Sequence, residues 1–198
     1  MTAPSPHFVA LVLAAGSARR FGSDKLSAPL DAEPLVFHAI RAARAAPVAR
    51  VFVVAHPDLA TGIWETREGA PEVETLRLSS DALSTSLRAG IAAAGGARGA
   101  FVFLGDMPRV PHTIAGELAH ALADNFAALP RHAGRSGHPV LLSARAFSMI
   151  ADLRGDAGAG GLLRDRTDIA HVETDDPAVL LDVDVPADLA AIAQPRLN

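Results

Sequence analysis

The chain has 198 residues, 49% of them hydrophobic and 20% charged, with a formal net charge of −4. That length suffices for one domain with a substantial core, and a mildly acidic chain without a lysine- and arginine-rich run argues against nucleic acid as a partner. Cysteine is absent, which excludes disulfides, thiolate catalysis, cysteine-held zinc and iron–sulfur clusters, and leaves any metal to oxygen or histidine ligands.

The opening MTAPSPHF is short, polar and proline-containing, and residues 1–6 read as a frayed tail rather than a targeting segment. FVALVLAA (8–15) is a continuous apolar run with β-branched residues, the pattern of a strand covered on both faces. EPLVFHAIRAARAA is expected to be a helix entered through Pro34, followed by a second buried strand RVFVVA (50–55) and an alternating outer strand VETLRLS (73–79). TSLRAGIAAAGG reads as a helix ended by Gly95 and Gly96, and GAFVFLGD (99–106) as another buried strand. PHTIAGELAHALADNF is a helix with Pro111 near its start. Shorter units follow: the strand GHPVLLS, the helix ARAFSMIADL, the loop GDAGAGGLLRD leading into another helix, the strands IAHVET and VLLDVD (179–184), and a closing helix PADLAAIA. No repeat and no linker-like stretch divides residues 1–198, and no apolar segment approaches the roughly 20 residues of a membrane span. One domain, a cytoplasmic address and no membrane partner are therefore expected.

Alternating strands and helices imply an α/β fold: a mostly parallel, mixed sheet with helices on both faces. Ligands of such sheets bind beyond the carboxyl ends of the strands, near a switch in strand order. The unusual residues of this sequence sit there. LAAGSARRFGSDK follows the first strand, and its Gly16 is expected to turn the backbone sharply and let a ligand approach the amides. Arg20 offers a planar fork for phosphate oxygens and Lys25 a mobile point charge, whereas Arg19 reads as a solvated neighbour. Neither the P-loop nor the GxGxxG spacing is present. Asp106, in GDMP, and Asp182 and Asp184, in DVDVP, are carboxylates expected at strand ends, suited to a hard cation that bridges phosphate oxygens. Which of Asp182 and Asp184 serves is left open, and Asp188 suits a helix cap. Phosphates that need cations, and a cation that needs carboxylates, together point to phosphoryl or nucleotidyl transfer by positioning and charge stabilisation.

LAAGSARRFGSDK also resembles the LAAGxSxRxGxxK signature of the MobA-like nucleotidyltransferases that handle molybdenum cofactor. GDMP, SGHPVLL, GDAGAGGLL and DVDVPADL resemble that family's later motifs in the same order, from about Val9 to Ala190. Within the group RFGSDK, STSLRAGI and SGHPVLL look most like the cytidylyltransferase branch, since the guanylyltransferase branch usually has a further glycine before the lysine. The resemblance implies a Rossmann-like three-layer nucleotidyltransferase fold and transfer of CMP from CTP to the terminal phosphate of molybdopterin cofactor, with Mg²⁺ as cofactor and a molybdoenzyme as eventual recipient. It implies that Ala14, Ala15 and Gly16 approach the nucleotide, that Arg20 meets the leaving phosphates, and that Lys25 meets the α-phosphate. It implies further that Ser84, Ser86 and Arg88 frame base and ribose, that Asp106 and Asp184 hold the metal, and that Gly137 and His138 lie near the acceptor. An arginine common in the family's glycine loop is replaced here by Gly160. The alternatives are GTP as donor, a sugar or alcohol phosphate as acceptor, or a non-catalytic module that delivers cofactor.

Overall fold

The computed structural model describes residues 7–16, 24–65, 69–79, 82–155 and 158–193. Strands and helices follow one another as β1 (Phe8–Ala14), β2 (Pro29–Leu30), β3 (Glu33–Pro34), α1 (Leu35–Ala45), β4 (Val48–Ala55), β5 (Glu72–Arg77), α2 (Leu83–Ala94) and β6 (Gly99–Leu104). Then come α3 (Ile114–Leu122), β7 (Ala127–His132), β8 (Arg135–Ser136), β9 (Val140–Ser143), α4 (Phe147–Ala151), α5 (Ala159–Leu163), β10 (Ile169–Glu173) and α6 (Pro186–Ala193). Eight of the strands form one sheet in the order β10-β7-β9-β6-β1-β4-β5, with β8 paired to β7, while β2 and β3 make a separate small hairpin. Pairing is parallel between β5, β4, β1 and β6 and between β7 and β10, and β9 lies antiparallel to both β6 and β7. This is the mixed, mostly parallel sheet the alternation implied.

The apolar run of β1 is continuous because both of its faces are covered. Phe8, Ala10, Val12 and Ala14 point to one side, into a core with Leu35, Val36, Ala39 and Ile40 of α1 and Ile114, Leu118 and Leu122 of α3. Val9 and Leu11 point to the other, against Leu87 and Ile91 of α2, Ile150 of α4 and Leu163 of α5. A side-chain period of two thus splits one strand between two cores and makes three layers. Among the described residues no helix is long and apolar enough to cross a membrane.

Three stretches differ from the sequence reading. VLLDVD is not a strand: Pro177–Leu180 is a 3-10 turn and residues 181–184 run extended outside any ladder. Val179 and Val183 are fully buried, which gives the segment a strand-like pattern. Its peptide groups instead make single bonds to separate neighbours, His138 N–H to the Val179 carbonyl at 2.8 Å and Val183 N–H to the Asp106 carbonyl at 3.0 Å. Asp182 and Asp184 therefore do not stand on a strand tip. Conversely AALPRH is a strand, β7, although it contains proline. β10 pairs along the whole of one edge of β7, Pro130 included, but on the other edge β9 pairs with Ala127 and Ala128 and β8 with Arg131 and His132. Pro130 falls between those two ladders on the edge its carbonyl faces, where its missing N–H costs little. The helix expected from Pro111 begins at Ile114 and stops at Leu122. Phe126 lies beyond it, buried in the core on the opposite face.

Gly137 fixes the join between β9's entry and the 3-10 turn. A Cβ there would lie 2.3 Å from the Val179 carbonyl oxygen, which is backbone and cannot swing away. Gly137→Ala is expected to destabilise the protein by roughly 1–3 kcal/mol, the usual cost of overpacking a close contact; a urea titration that leaves the midpoint unchanged would contradict this packing.

Candidate active site

Strand order reverses between β1 and β6, and the helix that leads from β1 and the helix that leads into β6 lie on opposite faces of the sheet. From β1 the chain passes through α1 to β4, and it reaches β6 from β5 through α2. A crevice opens where strand order reverses in this way, beyond the carboxyl ends of the strands. A cleft of about 290 Å³ lies there, lined by residues 13–16 at the end of β1 and just beyond it, Lys25, Leu26, Leu83, Ser86, Leu104 and Asp106. Arg20, with Arg19, lies outside the described residues.

Lys25 opens a 3-10 turn, Lys25–Ser27. The Asp24 carboxylate accepts from the Leu26 N–H at 3.2 Å, and Leu26 is buried in the core. Cap and anchor set the direction of the intervening lysine. Its Nζ donates to Asp106 Oδ2 at 2.8 Å and to Asp184 Oδ1 at 3.4 Å. The three side chains are 12%, 25% and 58% exposed respectively, so the lysine is the most enclosed member of the group.

Backbone bonds bring the two acids together. Gly105 N–H donates to the Leu13 carbonyl at 2.9 Å, which ties the exit of β6 to the end of β1. The buried Val183, with its bond to the Asp106 carbonyl, draws the 181–184 segment alongside. Asp188 Oδ2, in the first turn of α6, reaches back to accept from the Asp184 and Val185 N–H groups at 2.9 Å each, as the returning half of a capping box does, and so orients Asp184. Those bonds, with Lys25 nearby, hold the Asp188 carboxyl below its ordinary range. The structure thus distinguishes the pair: Asp184 shares Lys25 with Asp106, while the charge of Asp182 bears on His138.

Gly16 is exposed, and its backbone is not in the left-handed region. Among the described residues, nothing lies within 4 Å of where a Cβ would stand. The sharp turn expected here runs into residues 17–23, which lie outside the described residues; Gly16 itself lines the cleft. Ser86 faces the same cleft. Ser84 is fully buried, and its hydroxyl has no hydrogen-bond partner among the described residues. Arg88 reaches Thr85 Oγ1 at 3.3 Å. Neither Ser84 nor Arg88 belongs to the wall of the first cleft.

A second cleft, of about 260 Å³, adjoins the first and shares Leu13, Leu83 and Leu104 with it. Its walls are mostly apolar, with Leu87, Val102 and Leu163 among them, and it carries Gly137, His138 and the start of α5 from Gly158 to Gly160. Two motifs separated in sequence, GHPV and GDAGAGG, therefore border one cavity. The aliphatic wall was not legible in any motif, since its members are ordinary core-type residues. His138 is half-buried, with Nδ1 3.5 Å from the Val102 carbonyl. Burial lowers its pKa; the Val102 carbonyl and the charges of Asp106 and Asp182 act the other way without cancelling it.

The donor set fits a cation that arrives with its substrate. No group of three or more potential metal-binding side chains occurs among the described residues. Asp106 and Asp184 nevertheless converge on one positive charge. Magnesium-type ions are commonly held by one or two carboxylates, with water and substrate phosphates completing the shell.

Comparison with known proteins agrees with this arrangement. The sequence profile of the MobA-like NTP transferase domain matches residues 10–174. The purine catabolism protein PucB of Bacillus subtilis is 30% identical over 193 residues, spanning 92% of this chain and 94% of that protein. Among solved structures, Rv0371c of Mycobacterium tuberculosis superposes with a TM-score of 0.79 at 22% identity, over 96% of this chain and 98% of that one; it has also been solved as a manganese complex. Mth528, a nucleotidyl transferase from Methanothermobacter, gives a TM-score of 0.72 at 22% identity over 94% and 96%. The structural likenesses carry the fold, and the profile match across most of the chain carries the family: this chain belongs to the MobA-like NTP transferase family and is a nucleotidyltransferase.

Proposed function

We propose that this protein transfers CMP from CTP to the terminal phosphate of molybdopterin cofactor and releases pyrophosphate. The observation that carries the proposal is the placement of Lys25 between Asp106 and Asp184 at a cleft mouth, with a second, largely apolar cleft sharing its wall. The first cleft suits a triphosphate, and the second offers the flat ring system of the acceptor an aliphatic wall with a polar edge at Gly137 and His138. The choice of CTP rests on the likeness of RFGSDK to the cytidylyltransferase branch.

In this reading the nucleotide lies against the backbone of Ala14, Ala15 and Gly16, where the absent Gly16 side chain leaves room. Ser86 lines the same space. Ser84 and Arg88 support α2 behind it rather than touching the nucleotide. Asp106 and Asp184 would hold Mg²⁺, which when bound neutralises phosphate charge and aligns the triphosphate. Lys25 stabilises the negative charge that develops on the α-phosphate, and Arg20 assists departure of pyrophosphate. The acceptor phosphate attacks from the second cleft, where Gly137 shapes the wall and neutral His138 accepts or donates one hydrogen bond. The start of α5, from Gly158 to Gly160, borders the acceptor, and a recipient molybdoenzyme takes the product.

Pyrophosphate release with purified molybdopterin cofactor and each NTP in turn tests the assignment. Turnover is expected with CTP; preference for GTP, or for a sugar phosphate acceptor, would redirect it, and no release with any donor would point to a delivery module. Lys25→Ala is expected to lower turnover by ~10²–10³, the usual cost of removing one charge-stabilising group. Asp106→Asn is expected to remove activity and metal dependence together.

The depressed pKa of His138 has a consequence for stability. Above the ordinary histidine range both folded and unfolded chains hold it neutral, and it contributes nothing to pH dependence. As pH falls through that range the unfolded chain takes up the proton first, so stability declines. Between pH 7.5 and 5.5, without added metal, wild type is expected to lose more stability than His138→Gln in matched urea titrations. Equal losses would show that burial does not hold this imidazole neutral.

A further inference from the structure

In the free protein a lysine stands where a divalent cation would have to sit. The ammonium of Lys25 is hydrogen-bonded to Asp106 at 2.8 Å and lies 3.4 Å from Asp184, and only 12% of its side chain is exposed. A magnesium-type ion approaches carboxylate oxygen to about 2.0–2.1 Å. It would use the same oxygen lone pairs and would bring its two charges within roughly 4 Å of a third. The two cations are therefore competitors for one pair of acids.

We infer that Lys25 is an exchangeable counter-ion that closes the metal site until a polyphosphate offers it another partner. The inference rests on the reading of Asp106 and Asp184 as the metal-holding pair and adds an order to it. Lys25 lines the first cleft, together with the residues that follow β1. A phosphate chain in that cleft supplies anionic oxygens toward which the lysine can turn without losing its charge partner. Once it turns, the carboxylates are free for the divalent ion. Nucleotide and metal thus favour each other through one side chain, and by linkage the coupling is reciprocal. The bare protein binds metal weakly even though both carboxylates are in place. Loss of the lysine has two opposite effects: metal binding in the absence of nucleotide improves, while the chemistry that uses the lysine is lost. A lysine that served only to contact phosphate, remote from the acids, would produce the second effect alone.

Manganese alone is the probe, followed through the electron paramagnetic resonance signal of the free ion, with no nucleotide present. Lys25→Gln and Lys25→Met are expected to bind Mn²⁺ ~10-fold or more tightly than wild type, the effect of removing one competing charge at this range. Equal or weaker binding by folded variants, checked by circular dichroism, would overturn the inference while leaving the metal-holding pair intact. If neither wild type nor variants bind Mn²⁺, and Asp106→Asn changes nothing, the metal-holding pair itself falls and the inference with it. A second readout uses wild-type protein only. Amine acylation at Lys25, quantified by mass spectrometry, is expected to rise severalfold when Mn²⁺ saturates the protein. Unchanged labelling with the ion demonstrably bound would show that the lysine never leaves and would overturn the exchange.

Discussion

The contact on which the site depends is ionic and long-range: the Lys25 ammonium lies between Asp106 and Asp184, the second of these 159 positions away along the chain. Each partner is delivered by a different device. A capped 3-10 turn anchored by Leu26 presents the lysine, the exit of a buried strand presents Asp106, and an extended segment pinned by Val183 presents Asp184. None of the three is held by the ion pair alone. The charges meet because the backbone has already been placed, so the site is preorganised before any ligand enters. Such preorganisation is what transfer by positioning and charge stabilisation requires.

The antiparallel strand β9 decides how the two clefts relate. It enters the sheet between β6 and β7 in the direction opposite to both. Its leading residues, Gly137 and His138, therefore start at the end of the sheet where β1 and β6 finish. That inversion sets a histidine-bearing loop beside the carboxylate end of β6 and gives the second cleft its polar edge. Leu13 and Leu104, at the ends of the two central strands, form the shared wall. One aliphatic partition thus separates a charged chamber from an apolar one, which suits two substrates of unlike chemistry that react at their common border.

Much of this was legible in the residues themselves. Continuous apolar runs marked β1, β4 and β6, because strands buried on both faces leave no polar alternation. Gly16, Lys25 and the GDMP stretch marked the sheet edge on which a ligand would lie, because charged and glycine-rich residues have no place inside such strands. VLLDVD misled because burial, not pairing, makes Val179 and Val183 apolar, and hydrophobic pattern registers burial alone. β7 escaped notice because Pro130 ordinarily argues against a strand, and only the change of partner from β9 to β8 removes the objection. Nor did the sequence separate Asp182 from Asp184. Their spacing is symmetrical about Val183, and the choice between them comes from Asp188, which grips the backbone of one and not the other.

By itself, then, the sequence determined the layered α/β architecture, the edge of the sheet that carries the chemistry, and the kinds of charge placed there, since all of these follow from local composition and periodicity. The tertiary structure alone decided which acid faces the lysine, and that the glycine-rich start of α5 and a histidine loop border one cavity. These are relations between segments distant in the chain. They are fixed by a few backbone hydrogen bonds and close contacts that leave no periodic trace in the residues that make them.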